Sequence, residues 1–250
     1  MGRENKKDAV AALHREQILK AAEKLFSEKG YVQTTIDDIS KASAYSRRTI
    51  YAYYENKEDI LHHIMEKGLL ALKTDIENAV NRQDDFMGGY REICMAMRNY
   101  QREYPHSSDT IKVADTSHLG VFNTSDTSDA ANTSNIFKTS KVTDASNTSQ
   151  ITNDSKLSDI SDTVKSILIL GEEINGLLAS FIEKGKEKGI VRKEVVPLLT
   201  VYILWSGITA LLTLADTKGT YICRQFNISE NEFLDYGFQQ LINSILEVRV

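Results

Sequence analysis

The chain has 250 residues, 41 % of them hydrophobic, and a net charge of −5; that is enough for one or two domains with a real core, and too acidic for a non-specific nucleic-acid coat. Two prolines and few alternating β-branched runs predict mostly helix. Cys94 and Cys223 stand far apart with no CxxC motif, and no apolar stretch opens the chain, so reduced cytoplasmic thiols are expected, with no disulfide framework or signal peptide.

Residues 1–13 read as a mobile arm carrying Arg3, Lys6 and Lys7. The stretch 35–57 is the most informative. Thr35 suits an N-cap, with Asp38 three residues on as an acidic capping-box partner, and Ile36 and Ile39 share one face. A turn is expected at Ala44-Tyr45. Ser46 then caps a second short helix with Arg47, Arg48 and Thr49 in its first turn and Ile50 as its inward anchor. A helix-turn-helix sets the N-terminal residues of its second helix in the major groove, where arginine pairs with guanine and a threonine methyl meets thymine. Tyr51 and Tyr53 are expected to pack their rings and offer hydroxyls to phosphate, whereas Tyr54 reads as core. Asn56 caps the following helix, and Lys57 at its start favours a phosphate. The expected DNA-contacting set is therefore Thr35, Ser46, Arg47, Arg48, Thr49, Tyr51, Tyr53 and Lys57. Its charge is local: residues 41–57 hold Lys41, Arg47, Arg48 and Lys57 against Glu55, a net +3 on an acidic chain.

His62-His63 read as a partly exposed pair early in a long helix. The helices expected around 84–104 and 165–184 carry Phe86, Tyr90, Met97, Tyr100, Leu178 and Phe181, which with Trp205 could line a pocket for a small apolar ligand; each is equally at home in an ordinary core. Between them, residues 107–163 hold 22 Ser/Thr and 13 Asn/Asp in 57 positions, so about 120–160 reads as a low-complexity insertion too polar to bury a core. From Glu194 to Asp216 no charge intervenes over 21 residues. That length would cross a bilayer, but its three threonines (Thr200, Thr209, Thr213), its Ser206 and the lack of basic flanks favour a helix buried between core and partner. Ser229 and Glu232 form a capping box. Leu234, Phe238, Leu241 and Ile245 then repeat at heptad-like spacing, a seam expected to face a partner helix. No metal-ligand cluster, phosphate-cradling glycine motif or catalytic constellation appears, so neither cofactor nor enzyme activity is expected.

The runs Arg15–Ala22, Leu25–Tyr31, Thr34–Ile39, Thr49–Tyr51 and Tyr53–Leu61 resemble the DNA-binding domain of the TetR family of bacterial regulators. Helix, glycine stop, threonine cap, helix-turn-helix and Asn-Lys cap follow one another in that family's order. The chain departs from it at Ala44-Tyr45, where the family usually has Gly-Val, and at Arg48, where it often has Gly. The resemblance implies an operator-binding homodimer, paired through its last two helices, whose repression a small ligand relieves. The fold expected is all-α: a three-helix helix-turn-helix domain over 1–60, then a ligand-sensing and dimerisation domain over 61–250. A second reading keeps this fold but acts through protein–protein contacts.

Overall fold

The computed structural model describes residues 2–82, 85–104 and 161–247. The polar segment, including the insertion expected at 120–160, lies outside them. Residues up to 105 and from 163 onward form one compact unit.

Among the described residues the elements are α1 (Gly2–Lys29), α2 (Ile36–Ser43), α3 (Arg47–Tyr51), α4 (Lys57–Arg82), α5 (Phe86–Glu103), α6 (Asp162–Glu187), α7 (Pro197–Phe226) and α8 (Glu230–Asn243). The helical expectation holds throughout. At the N-terminus it holds further than the sequence suggested, because the expected arm forms the first turns of α1.

Helices α1 to α3 close around Ile18, Ala22, Phe26, Ile39, Ile50 and Tyr54, all at most 2 % exposed. Gly30 ends α1 at φ +84°, a conformation that glycine alone adopts freely, and its N–H returns to the carbonyl of Phe26 at 2.9 Å. Asn56 caps α4 through Oδ1, which accepts from the Asp59 N–H at 2.8 Å. Pro197 opens α7, where its missing N–H leaves no bond unmade.

The C-terminal core joins α4, α5, α6, α7 and α8. Phe86 on α5 stacks on Phe181 of α6 with ring centroids 4.6 Å apart. Helices α7 and α8 run close together because Gly207 lies under Leu241 and Gly237 under Leu211; a side chain at either glycine would overlap the leucine. Arg91 pairs with Asp235 at 2.9 Å, and Arg98 and Arg102 both reach Glu230, tying α5 to α8 at the surface. After α8, Leu246 forms an antiparallel bridge with Val191.

Within the single chain the seam on α8 faces inward. Leu234, Phe238 and Ile245 are 1, 2 and 6 % exposed within the single chain, and Leu241 packs against the same core. Heptad-like spacing marks a face that wants an apolar partner, and here α5 and α7 of the same chain supply it. Exposed apolar residues gather along one face of α7, at Leu199, Ile203, Leu214 and Tyr221; Tyr236 on α8 and Ile169 on α6 are exposed as well. Helix α7 is long and apolar enough to cross a membrane by length and composition, but its opposite face (Val201, Leu204, Ile208, Leu212, Ala215) is buried in the fold.

Candidate nucleic-acid interface

The helix-turn-helix is fixed by its caps. Thr35 accepts the Asp38 N–H at 3.2 Å, and Asp38 Oδ2 accepts the Thr35 N–H at 2.9 Å and its hydroxyl at 2.6 Å. Lys29 reaches the same carboxylate at 2.6 Å. These donors hold the Asp38 carboxyl far below the ordinary carboxylate range, the Lys29 contact contributing most. At α3 the Ser46 hydroxyl accepts the Thr49 N–H at 3.1 Å, and the two hydroxyls lie 2.8 Å apart. Thr35 and Ser46 therefore place the helices. Any contact they make with DNA comes in addition to capping.

The turn between α2 and α3 forms without glycine. Ala44 sits in the left-handed region at φ +59°, ψ +20°. Tyr45 closes the turn: its carbonyl accepts the Ser40 hydroxyl at 2.6 Å, and its ring lies 4.8 Å from that of His14. Its hydroxyl donates to Gln17 of α1.

Beyond the turn, α3 presents a small basic surface. Ile50 is fully buried and anchors it, while Arg47, Arg48 and Tyr51 are exposed and Thr49 is half-buried. Arg47 is paired along one edge of its guanidinium with Asp37 of α2, Nη2 lying 2.5 Å from Oδ2. Sequence reasoning missed this partner; the only signal was an extra carboxylate in the first turn of α2.

Tyr53 is half-buried. Its hydroxyl lies 3.1 Å from His14 Nδ1, and the Arg15 guanidinium sits over its ring at 5.3 Å. Tyr54 is core, its hydroxyl donating to the Arg15 carbonyl at 3.2 Å, and burial pushes it up to about 12. Lys57 is held inward. Nζ donates to the carbonyls of Tyr31 and Thr34, each at 2.8 Å, with Val32 at 3.4 Å, so its three N–H groups already have acceptors. The face available to a duplex is thus Arg47, Arg48, Thr49 and Tyr51, with Tyr53 at its margin.

In the C-terminal core a narrow cleft, with a cavity volume of about 30 Å³, runs between α5, α6, α7 and α8. Six of the seven residues expected to line a pocket do so: Phe86, Tyr90, Met97, Leu178, Phe181 and Trp205. Tyr100 does not; it turns toward Gly68 of α4 and packs on Tyr104. The cleft is apolar throughout. Its one hydroxyl, on Tyr90, donates to the Phe238 carbonyl at 3.0 Å, and burial raises the pKa of that phenol far above its usual value.

Residues 18–64 match the family described as bacterial regulatory proteins, tetR family. Over 73 residues the chain is 37 % identical to the biofilm operon icaADBC HTH-type negative transcriptional regulator of Staphylococcus epidermidis, a match spanning 29 % of this chain and 34 % of that one. The chain spans about half or less of the curated relatives it matches. Two solved structures share the whole fold at low identity. The transcriptional regulator FadR of Bacillus subtilis, solved with stearoyl-CoA, aligns with TM-score 0.57 at 14 % identity over 92 % of this chain and 98 % of that one. SmeT, the repressor of the Stenotrophomonas maltophilia multidrug efflux pump SmeDEF, aligns with TM-score 0.55 at 14 % identity over 94 % and 91 %.

Proposed function

We propose that this chain, a member of the TetR family of bacterial regulatory proteins, is a homodimeric cytoplasmic repressor of transcription that leaves a two-half-site operator when a small apolar ligand binds its C-terminal core. The observation that carries the reading is the first turn of α3. Two arginines stand exposed on a short helix whose inner side is anchored by Ile50 and whose start is capped by Ser46. That is a preformed, basic reading head, and one head this small covers only a few base pairs. Useful specificity then requires two heads in register on successive turns of the duplex.

The pairing surface we assign is the outer face of α7, with Leu199, Ile203 and Leu214, against the same face of a second copy. Repression is the sense taken from the negative regulator of Staphylococcus epidermidis, which shares 37 % identity over 73 residues, although another curated relative, of Lactococcus lactis, is an activator. The ligand class follows from the cleft: no charged side chain lines it, so it suits an acyl chain or a flat apolar compound. The stearoyl-CoA found with the Bacillus FadR agrees with that class. A ligand that fits better when α4 shifts would spread the heads and release DNA, and DNA would weaken the ligand by the same factor.

Selection of random duplexes by the purified protein tests this. Enrichment of a palindromic site, bound by two chains and released by an apolar ligand that changes Trp205 fluorescence, is the expected result. No enrichment above random duplex would overturn the reading.

A further inference from the structure

The guanidinium of Arg47 has two hydrogen-bonding edges, and the fold uses one. Nε and Nη2 face the two oxygens of Asp37, a fork-on-fork pairing that fixes the plane of the group. The other edge, Nη1 with the second hydrogen of Nη2, is the one that matches O6 and N7 of guanine. Arg47 is the first residue of α3 and its side chain is 64 % exposed, so this edge stays open. Asp37 is itself well placed. It lies in the first turn of α2, where the helix dipole favours a negative charge, on a helix held by the Thr35 capping box. Arg48, the next residue, is also exposed and makes no ion pair among the described residues.

We propose that Asp37 is the positioning residue that sets base preference at the Arg47 contact. It holds the guanidinium end-on toward a guanine and keeps that charge from wandering onto phosphates. The proposal rests on α3 being the reading helix. The physical basis is preorganisation. A free arginine gives up rotamer freedom when it docks, whereas one already clamped has given it up in the folded protein. The carboxylate also offsets one positive charge, which weakens attraction to any duplex backbone while leaving the directed bonds to the base. Specificity therefore rises as non-specific affinity falls. Arg48 is left to serve as the backbone cation beside it.

The test compares wild type, Asp37→Ala and Arg47→Ala on the duplex that wild type selects, on versions with each base pair of a half-site changed in turn, and on random duplex across salt concentrations. Arg47→Ala should lose preference at one guanine per half-site. Asp37→Ala should lose roughly three- to tenfold of the preference at that same base pair. Its binding to random duplex should hold or strengthen, with a salt slope steeper by about 0.9 as Arg47 turns to a phosphate. A change that merely loosened the domain would weaken all duplexes alike. If Asp37→Ala shifts every duplex by one common factor, Asp37 sets no preference and the proposal is overturned, while α3 remains the reading helix. If wild type selects no duplex at all, the reading beneath it fails and takes the proposal with it.

Discussion

Lys57 donates through Nζ to the carbonyl oxygen of Thr34, 2.8 Å away across 23 residues of sequence. Tyr31 supplies a second carbonyl at 2.8 Å and its ring faces the ammonium with the centroid at 4.2 Å. One cation thus fills the turn between α1 and α2 and joins it to the start of α4, the helix that leads from the reading head to the core. Partial burial of the amine lowers its pKa, because leaving water disfavours the charged form.

Replacing Lys57 by Met should therefore act on the fold before it acts on DNA. Carbonyls in the Tyr31–Thr34 turn would lose their donor, at about 1–3 kcal/mol. Thermal melting should show that loss, and every duplex should bind more weakly by one factor. The salt dependence separates the roles: a lost phosphate contact flattens the slope by about 0.9, whereas a loosened joint leaves it unchanged, the outcome expected here.

Ala44 gives a prediction of opposite sign. Its φ of +59° crowds Cβ against the following carbonyl, a cost of about 1–2 kcal/mol that glycine avoids. Glycine gives back part of this through its freer unfolded chain. Ala44→Gly should stabilise the domain by about 0.5–1 kcal/mol on denaturant unfolding. A loss of stability would show that the Ala44 methyl packs favourably enough to outweigh the strain.

Much of this fold is legible in the sequence because its signals are local. Thr35 with Asp38, Ser46, Asn56, Pro197 and Ser229 with Glu232 each announce a helix start by chemistry within one turn, and all of them form. Six pocket residues converge because helical spacing put each on an inward face. What could not be read were choices between partners. The α8 seam states that Leu234 and Phe238 need apolar cover but not which chain provides it. Lys57 at a helix start looks like a phosphate ligand until the Tyr31–Thr34 carbonyls come within reach. Asp37 is ten residues from Arg47, and only the angle of the helix-turn-helix brings them together.

His62 should make the fold sensitive to mild acid. It lies near the start of α4, and its Nε2 is buried with no hydrogen-bond partner among the described residues. Burial lowers its pKa, outweighing the opposing pull of Glu58, 4.0 Å away, and of Asp59. His63 adds a small push in the same direction as burial. The unfolded chain takes up this proton near pH 6.5, before the folded protein does. The contribution of the neutral imidazole is thus complete above about pH 6.5 and is lost as pH falls below it. Stability of wild type should drop from pH 7 to pH 5 more than that of His62→Phe, measured by chemical denaturation at fixed salt. Parallel curves for the two proteins would remove His62 as the cause.

The two apolar faces near the C-terminus can be separated by placing one charge on each. Ile203 is 63 % exposed in the single chain, so Ile203→Glu should cost the fold little, within about 0.5 kcal/mol. If the outer face of α7 pairs two chains, however, each interface would carry two facing carboxylates away from water. This variant should sediment as a folded monomer, melt like wild type at low concentration and bind a two-half-site duplex far more weakly. Phe238 is 2 % exposed, and its own carbonyl receives the Tyr90 hydroxyl. Phe238→Glu would bury an unpaired charge in the core and leave a void where the ring stood, so it should unfold the C-terminal body by about 4 kcal/mol or more. The reverse pattern, a folded monomer from Phe238→Glu and an intact dimer from Ile203→Glu, would return the interface to the α8 seam. It would also require α8 to turn outward in the assembled protein. A cooperative Phe238→Glu protein is the result that separates the two arrangements most cleanly, because only a face covered by a second chain can take that charge and still leave each chain folded.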